Sequence, residues 1–360
     1  MSMNDFNSIY RIINTRLPFD SFYGMSILAP YSGKHRHFHN ISHVLDILKM
    51  MEKDSFNSDI EANSFYCAAL FHDVVYNPRR RDNEELSCDF FANHFHPEYG
   101  NRVDFNLVCE LIRGTALIDD RNASLQVQRF NSYDRNILTK PVDALVEYGE
   151  KIWKEYSHVP YSIFLEGHFS LIRTLVSSTY NKDPMLEIYL ENINEYEQIM
   201  KQKRFKIGLY VGSFNPFHVG HLDVLHQAER LFDKVIIASG INPAKGAVAT
   251  SIPVMNVVIE GVPLRFEQVQ FNMLLARYVE KLEKEENYDI TIVRGIRDEG
   301  DLHSELLQRK YSLGIKKDLN YIFLASSPGL EHVSSSGIRT LQQFHENVSE
   351  YLPSQELGQY

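Results

Sequence analysis

The stretch FKIGLYVGSFNPFHVGH, Phe205–His221, predicts the fold of the second half of the chain. It begins with a short apolar run rich in β-branched residues, which is typical of a buried strand. Gly212 lets the backbone approach a ligand closely, and Pro216 ends the strand. An amphipathic helix opens near His218 and is predicted to continue to about Phe232. A strand, a tight turn and a helix N-terminus therefore follow one another directly.

This order of elements predicts a phosphate site. Exposed N–H groups and the helix dipole both favour anions at a helix N-terminus. His218 and His221 stand at this terminus with Gly220 between them, so both imidazoles can point at a phosphate. A capped helix with two surface histidines is the alternative interpretation. The complete pattern G-S-F-N-P-F-H-x-G-H directly after a strand favours the phosphate site.

The composition is that of an ordinary globular protein. A length of 360 residues favours two domains, and 44% hydrophobic with 23% charged residues is typical of soluble proteins. The net charge of −10 disfavours nucleic acids and anionic membranes as partners. Cys67, Cys88 and Cys109 are not clustered and fit a reducing compartment. We find neither a signal-peptide pattern nor an apolar run of membrane-spanning length, so we expect a cytoplasmic protein without membrane contact.

Residues 1–203 are predicted to form an all-α domain. Helical periodicity recurs in five segments, Ser42–Glu52, Glu61–Phe71, Asn83–Phe95, Pro141–Tyr156 and Leu186–Met200. Six histidines of this half are predicted to lie at the surface: His35, His37, His94, His96, His158 and His168. The polar run Lys201–Arg204 is the expected junction with a second domain, residues 204–360.

Residues 204–360 alternate between strands and helices. The predicted strands are Lys206–Val211, Lys234–Ser239, Ile290–Val293 and Tyr321–Ala325, and helices are predicted over Phe271–Glu285 and up to about Leu313. This alternation predicts a Rossmann-like, doubly wound parallel sheet, whose ligands bind at the carboxyl ends of the strands.

The loops after these strands carry side chains that suit phosphate. Lys245 follows the second strand, Arg294 and Arg297 follow a later one, and Ser334–Ser336 open the last helix. A single such loop is a weak signal. Their repetition at successive strand ends predicts that they converge on one site.

Four motifs make this half resemble the bacterial phosphopantetheine adenylyltransferases of the cytidylyltransferase-like nucleotidyltransferase superfamily. They are GSFNPFHVGHLDVL (212–225), NPAK (242–245), RGIRDEGDLHSE (294–305) and VSSSGIR (333–339). The resemblance covers almost the whole second half. It implies transfer of the adenylyl group of ATP, with Mg²⁺, to a phosphorylated acceptor, above all 4′-phosphopantetheine in coenzyme A biosynthesis. It also implies a homo-oligomer formed through this domain.

The resemblance carries roles over to individual residues. Those implied to be catalytic are expected to supply the positive charge of the site: His218, His221, Lys245, Arg294 and Arg297. Those implied to bind substrates are Ser213, Phe214, Leu274, Leu275, Ser334, Ser335 and Ser336. An oxygen of the acceptor phosphate would attack the α-phosphorus of ATP in line and release pyrophosphate, so positioning and electrostatic stabilisation would supply the rate.

Three departures from the family pattern leave the acceptor open. His218 replaces a threonine, Ser312 replaces an asparagine, and ATSIPVMNVVIEGVPL (249–264) replaces a helix that carries an L-E-E-R motif. Adenylyl transfer to another acceptor, such as nicotinamide mononucleotide, is one alternative. A nucleotide-sensing protein without turnover is another.

The first half concentrates its chemistry in two motifs. His39 and His43 lie one helical turn apart, and His72 and Asp73 follow a long apolar run. Imidazole and carboxylate groups are expensive to bury unless they bind a cation or each other. Together they are a ligand set for a divalent transition metal. A polar helix face with incidental histidines is the alternative.

These motifs resemble metal-dependent phosphohydrolases of the HD superfamily. The matching stretches are RHFHNISH (36–43), FHDVVYNP (71–78), DNEELS (82–87) and FNSYDRNIL (130–138), and the resemblance covers roughly residues 20–200. It implies that a Mn, Fe, Ni, Co or Zn ion is held by four residues: His43, His72, Asp73 and Asp134. It also places His39 where related cyclic-nucleotide phosphodiesterases have a proton-donating histidine.

The sequence as a whole predicts a bifunctional enzyme. A divalent metal lowers the pKa of water, so that water attacks a phosphoester near neutral pH, and an imidazolium can protonate the leaving oxygen. Ser132 stands where the HD family tends to have an aspartate, and GTALIDD (114–120) lacks a histidine usual in that family. A mononuclear hydrolase and a domain that only binds its ligand therefore both remain open.

Overall fold

The computed structural model describes residue 11 and residues 27–95, 101–240 and 254–354. The chain divides into two compact units. The first comprises the described residues up to Glu155 together with Leu165–Lys201, and the second comprises Tyr156–Phe164 and the residues from Gln202 onward. The boundary between residues 203 and 204 stays a prediction. No pattern in the sequence indicates that Tyr156–Phe164 groups with the second unit.

The described residues that precede the first strand are mostly helical and form no strand, as predicted. Their helices are α1 Ile41–Met51, α2 Asp59–Phe71, α3 Asn83–His94, α4 Phe105–Gly114, α5 Leu125–Asp134, α6 Val142–Glu155, α7 Tyr161–Thr179 and α8 Leu186–Gln202. The segments predicted from periodicity coincide with α1, α2, α3, α6 and α8 to within two residues at each end.

Helix α2 lies at the centre of the first unit. The side chains of Ser64–Phe71 are all buried, and they form the core together with apolar residues of α1, α3, α4 and α5. The side chain of Ser58 accepts a hydrogen bond from the backbone N–H of Glu61 and caps the start of this helix. Because α2 ends at Phe71, the next residues, His72 and Asp73, lie at a helix C-terminus, where His72 is still buried.

The expectation that His168 lies at the surface is wrong. Its side chain is buried, and its Nε2 lies 2.8 Å from the hydroxyl oxygen of Tyr196. Burial lowers the pKa of His168 to about 4, so the ring is neutral at pH 7. A neutral imidazole with a partner is an acceptable core residue, and that partner lies on another helix.

The second unit contains a six-stranded sheet. The strands are β1 Phe205–Gly212, β2 Lys234–Gly240, β3 Val254–Asn256, β4 Glu267–Phe271, β5 Tyr288–Ile296 and β6 Asn320–Ala325. Their order is β3-β4-β2-β1-β5-β6, and all pairs are parallel except β3 with β4. The helices between and after them are α9 Val219–Ala228, α10 Leu275–Glu285, α11 Glu299–Ile315 and α12 Ser335–Gln343.

The predicted parallel sheet is confirmed in its central strands, whereas the edge formed by β3 and β4 was missed. The predicted helix Phe271–Glu285 starts too early, because Phe271 ends β4 and the helix begins at Leu275. The antiparallel strand β3 falls inside the stretch that replaces the family's helix. Strand β4 was hidden because its sequence, EQVQF, is polar although most of its residues are buried.

A buried ion pair explains the polar start of β4. The Nζ of Lys234 at the start of β2 lies 2.5 Å from the carboxylate of Glu267 at the start of β4, and both side chains are almost completely buried. Lys234 also donates to the carbonyl oxygen of Val159 at 2.6 Å. Among the described residues, no helix combines the length and the apolar character that a membrane span requires.

Candidate functional site

A pocket of about 400 Å³ opens at the carboxyl ends of β1 and β5. Its walls come from the loop after β1, the N-terminus of α9, the end of β5, the first turns of α11 and the N-terminus of α12. The predicted site residues that line it are Ser213, Phe214, His218, His221, Arg294, Arg297, Ser334, Ser335 and Ser336. The structure therefore brings together side chains that are more than 120 positions apart in the sequence.

The two histidines cap helix α9 reciprocally. The Nδ1 of His218 accepts the backbone N–H of His221, and the Nδ1 of His221 accepts that of His218, each at 3.3 Å. The rings stack with their centroids 3.6 Å apart. A neutral imidazole whose Nδ1 is an acceptor carries its proton on Nε2, so each ring keeps one N–H donor. The histidines therefore act both as a helix cap and as donors suited to phosphate oxygens.

Both rings are neutral at physiological pH. Burial, assisted by the positive charge of Arg297, lowers the pKa of His218 to about 4. Burial, with His218 and Arg297 nearby, also lowers the pKa of His221 well below its ordinary value. The prediction that these histidines supply positive charge is therefore replaced by neutral hydrogen-bond donation.

The two arginines are held by carboxylates of α11. The Nε of Arg294 donates to Glu305 at 2.5 Å, and its Nη1 donates to the carbonyl oxygen of Val211 at 2.7 Å. Arg297 donates to Asp301 from Nε at 2.7 Å and from Nη2 at 2.9 Å. These bidentate pairs fix the orientation of both guanidinium groups at the pocket wall.

The three serines form the N-terminus of α12. The Oγ of Ser334 accepts the backbone N–H of Gly337 at 3.1 Å and caps the helix. The Oγ of Ser335 donates to the carbonyl oxygen of Pro216 at 2.9 Å and thereby ties α12 to the loop after β1. A second helix N-terminus thus faces the same pocket, which favours an anion with several phosphates.

Gly212, at the end of β1, allows a close approach of the ring of Phe214. A Cβ at this position would lie 2.8 Å from that ring, so a larger residue would force the ring to shift. The ring of Phe214 is buried, and it meets the ring of His221 edge to face with the centroids 5.1 Å apart. The ring of Phe214 therefore helps to hold the imidazole of His221 in place at the pocket.

Three predicted residues are not among the described residues that line the pocket. Lys245 lies outside the described residues. Leu274 is exposed at the N-terminus of α10, Leu275 follows it, and neither lines the pocket. Their roles stay predictions.

Arg339 is a pocket residue that the sequence reasoning missed. It lines the wall on α12 and hydrogen bonds through Nη1 to the carbonyl oxygen of Asn215. The signal was present, because Arg339 ends the motif VSSSGIR. One helical turn separates it from Ser335 and Ser336, which places it on the same side of the helix.

A cluster of imidazoles and carboxylates lies in the first unit. Ligand atoms of His43, His72 and Asp134 lie within 4.8 Å of one another. The Nε2 of His43 lies 2.9 Å from Asp134 Oδ1, and the Nε2 of His72 lies 3.0 Å from Asp73 Oδ2. The four predicted ligands therefore meet, one from α1, two from the end of α2 and one from the end of α5.

The donor atoms suit a divalent cation. The Nδ1 of His72 lies 3.1 Å from the carbonyl oxygen of Ala69, which fixes the proton on Nδ1 and leaves the Nε2 lone pair free to bind. The Nε2 atoms of His43 and His72 lie 3.4 Å apart, and two lone pairs at this distance repel unless a proton or a cation lies between them.

His39 lies beside this cluster with its ring 5.9 Å from that of His43. Its Nδ1 lies 2.6 Å from Glu155 Oε2, and its ring stacks on Tyr76 with the centroids 4.2 Å apart. Burial acts to lower the pKa of His39, but the carboxylates of Glu155 and Asp73 outweigh it and raise the pKa above 6.5.

Two further residues of this region were missed. Glu155 accepts hydrogen bonds from the turn that carries His39. The buried guanidinium of Arg36 donates to the carbonyl oxygens of His39, Asp73 and Val74 at 3.0, 2.6 and 2.9 Å. Arg36 is the first residue of the motif RHFHNISH, so its position was available from the sequence, whereas that of Glu155 was not.

Comparison with known proteins places the second unit in a family. The cytidylyltransferase-like family model matches residues 209–341. The phosphopantetheine adenylyltransferase of Streptococcus suis is 32% identical over 149 residues, which are 41% of this chain and 90% of that protein. Those of Caldanaerobacter subterraneus and Clostridium perfringens are each 30% identical, over 41% and 42% of this chain and 91% and 90% of their own length.

The family model matches the region that contains the pocket, and the relatives are matched over nine tenths of their own length. Through its second half, the chain belongs to the phosphopantetheine adenylyltransferase family of nucleotidyltransferases.

Proposed function

We propose that residues 204–360 transfer the adenylyl group of ATP to 4′-phosphopantetheine and release pyrophosphate and dephospho-coenzyme A. One observation carries this proposal beyond family membership. Two helix N-termini, two imidazole N–H donors and three guanidinium groups surround one pocket at the carboxyl edge of the parallel sheet. That combination suits a ligand with several phosphates, since each phosphate oxygen can find a directed N–H donor.

The proposed roles combine the positions of the side chains in the pocket with the roles that the family resemblance implies. His218, His221 and the N-terminus of α12 hold the triphosphate of MgATP. Ser213 and Arg294, at the ends of β1 and β5, hold the phosphate of the acceptor. An acceptor oxygen forms a bond to the α-phosphorus as the bond to the bridging oxygen of pyrophosphate breaks. No covalent intermediate with the protein is needed, so the rate comes from positioning and from donors that meet the developing negative charge.

The test uses the full chain with MgATP and pyrophosphate release as the readout. With 4′-phosphopantetheine we expect turnover and a product with the mass of dephospho-coenzyme A. Turnover with nicotinamide mononucleotide but not with 4′-phosphopantetheine would change the acceptor and keep the reaction type. Tight ATP binding without pyrophosphate from either acceptor would overturn the transfer proposal and favour a nucleotide sensor.

We further propose that the first half hydrolyses a phosphoester with a divalent transition metal held by His43, His72, Asp73 and Asp134. The geometry of the four side chains favours this second function. When bound, a metal such as Mn, Fe, Ni, Co or Zn would lower the pKa of water and polarise the phosphoryl group. His39 would protonate the leaving oxygen, and the carboxylates of Glu155 and Asp73, which raise its pKa, favour the protonated ring.

This second proposal is tested by metal analysis of the purified chain together with a phosphoester assay. We expect about one divalent metal per chain and metal-dependent hydrolysis of p-nitrophenyl phosphate or its diester. Asp134→Asn removes one ligand charge and should abolish both. His345→Asn is a matched control, because His345 is an exposed histidine of the second unit at φ +60°, a conformation that asparagine tolerates. Metal retained at full occupancy by the Asp134 variant would refute the ligand set.

A further inference from the structure

The carboxylate of Glu155 has no role in the proposals above, and its environment is unusual. Glu155 is the last residue of α6, and its side chain is completely buried. Its Oε1 accepts the backbone N–H groups of His37, Phe38 and His39 at 2.8, 2.7 and 3.0 Å. Its Oε2 lies 2.6 Å from His39 Nδ1 and accepts the hydroxyl of Tyr76 at 2.9 Å. Five donors thus converge on one carboxylate.

This arrangement keeps the carboxylate ionised despite its burial. Burial alone would raise the pKa of Glu155, but the positive charge and hydrogen bond of His39 and the backbone N–H donors lower it to about 2. An ionised Oε2 can only accept, so the Nδ1 of His39 must carry a proton. Nε2 is then the ring nitrogen that does not face Glu155.

The turn that carries His39 is held from two sides. Glu155 binds its N–H groups, while Arg36 donates to the carbonyl oxygen of His39 at 3.0 Å. Tyr76 stacks on the imidazole and shares the same carboxylate oxygen. The ring therefore has a fixed plane and a fixed tautomer, and the same residues connect it to the end of α2 through Arg36 and Asp73.

We propose that Glu155 is the positioning residue for His39, which sets the tautomer and orientation in which His39 gives a proton to the leaving oxygen of a phosphoester. This inference rests on the proposed hydrolase function of the first half. In the step, the oxygen of water bonds to phosphorus, the bond from phosphorus to the leaving oxygen breaks, and that oxygen takes the Nε2 proton of His39. The proton lost by the attacking water restores His39, and the products are an alcohol and phosphate.

The substitution Glu155→Gln isolates the tautomer from the fold. The glutamine oxygen can still accept the three backbone N–H groups, so the turn stays in place. Its NH₂ replaces the oxygen that faces His39 and can only donate, so Nδ1 must become an acceptor and the proton moves to Nε2. Glu147→Gln is the control, because Glu147 lies on the same helix and pairs with Lys151 at the surface.

The first arm measures the ring directly. The full chain, labelled with ¹⁵N-histidine and loaded with Zn²⁺, is examined by NMR, and His39 is assigned from its absence in His39→Gln. We expect a strongly deshielded, slowly exchanging Nδ1 proton that disappears in Glu155→Gln and persists in Glu147→Gln. A His39 ring protonated on Nε2 alone in the wild-type chain would overturn the proposal, whether or not the chain hydrolyses any phosphoester.

The second arm uses leaving groups that differ in their need for a proton. Phenyl phosphate needs protonation of its leaving oxygen more than p-nitrophenyl phosphate does. We expect Glu155→Gln to lower kcat about 100-fold for phenyl phosphate and much less for p-nitrophenyl phosphate, with little change in KM. In the His39→Gln background the same substitution should change kcat by less than about threefold, since the pair acts as a unit.

The outcomes of the two arms are separable. Equal losses for both substrates, or full additivity with His39→Gln, would reduce Glu155 to a structural residue and overturn the positioning role. A wild-type chain that turns over neither substrate would refute the hydrolase function. The NMR arm would still decide whether Glu155 sets the tautomer of His39.

Discussion

The substitution His221→Ala is expected to affect catalysis and stability separately. It removes one Nε2–H donor from the phosphate pocket, and it removes the acceptor that caps the backbone N–H of His218. Loss of one preorganised donor to a developing charge costs about 10²–10³ in kcat, which is about 3–4 kcal/mol of transition-state stabilisation. Loss of a helix cap costs about 1 kcal/mol, which corresponds to roughly fivefold faster amide exchange in α9.

A second variant distinguishes these effects. His221 occupies the third position of α9, where a glutamine side chain can accept the N–H of the capping residue. His221→Gln should therefore restore the amide protection of α9 while leaving kcat as low as in His221→Ala. The imidazole is neutral, so its replacement by a neutral amide changes no net charge in the free pocket.

The assay is pyrophosphate release by the full chain with MgATP and 4′-phosphopantetheine, combined with hydrogen exchange measured by mass spectrometry on peptides from α9. The single tryptophan, Trp153, lies in the other unit and would not report on this helix. If His221→Gln restored kcat along with the protection, the ring would be a cap and nothing more. An unchanged rate in both variants would refute the placement of ATP in this pocket.

Three further predictions follow from other contacts. His72→Asn should weaken Mn²⁺ binding at least about 100-fold in calorimetric titration, because even residues that only contact the ligands contribute 10–100-fold to metal affinity. The control His345→Asn should leave the Mn²⁺ affinity unchanged. Equal affinities of the two variants would show that His72 is not a ligand. Lys234→Met should lower the unfolding free energy of the second unit by about 3–5 kcal/mol in urea titrations monitored by hydrogen exchange, since it leaves the buried Glu267 charge unpaired. Adding Glu267→Leu should recover much of this loss. A loss below about 1 kcal/mol in the single variant would contradict the buried ion pair. The pKa values of His218 and His221 are lowered in the folded state, so the contribution of these residues to stability is complete above pH 6.5 and declines as the pH falls towards about 4. Calorimetric scans from pH 7 to 4.5 should show this decline for the second unit. A variant with Asn at position 218 and Gln at position 221 should lack it.

The parts of the molecule that could be predicted are those whose signal is local. The strand β1 and the N-terminus of α9 follow from Phe205–His221, because an apolar run, a glycine and a helix start occur within one short stretch. Five helices of the first half, α1, α2, α3, α6 and α8, follow from periodicity. The convergence of Arg294 and Arg297 with Ser334–Ser336 follows from the rule that parallel strands deliver their following loops to one edge.

The parts that could not be predicted depend on partners far away in the sequence. Glu155 ends a helix of charged and aromatic residues and looks solvated, yet it is buried by a turn more than 110 residues before it. Strand β4 was not predicted, because Glu267 makes its sequence look exposed. In the structure Glu267 is buried and forms an ion pair with Lys234 on a neighbouring strand. His168 was misplaced for the same reason, since its partner Tyr196 lies on another helix. Local patterns show which side chains are polar, but not which of them find a buried partner.

The electrostatics of the pocket indicate that phosphate is recognised by N–H donors of fixed direction rather than by net positive charge. Among its described lining residues, three arginines face two carboxylates, Asp301 and Glu305, and both histidines are neutral, so the net charge is +1. MgATP and an acceptor phosphate together bring more negative charge than this. Attraction by net charge alone would therefore be weak, and the binding energy must come from N–H groups whose directions are already fixed by caps and carboxylates. The carboxylates of α11 lower the net charge, but they orient the arginines so that their N–H groups can bind without reorganisation, which favours a transition state of defined geometry over any loosely bound anion.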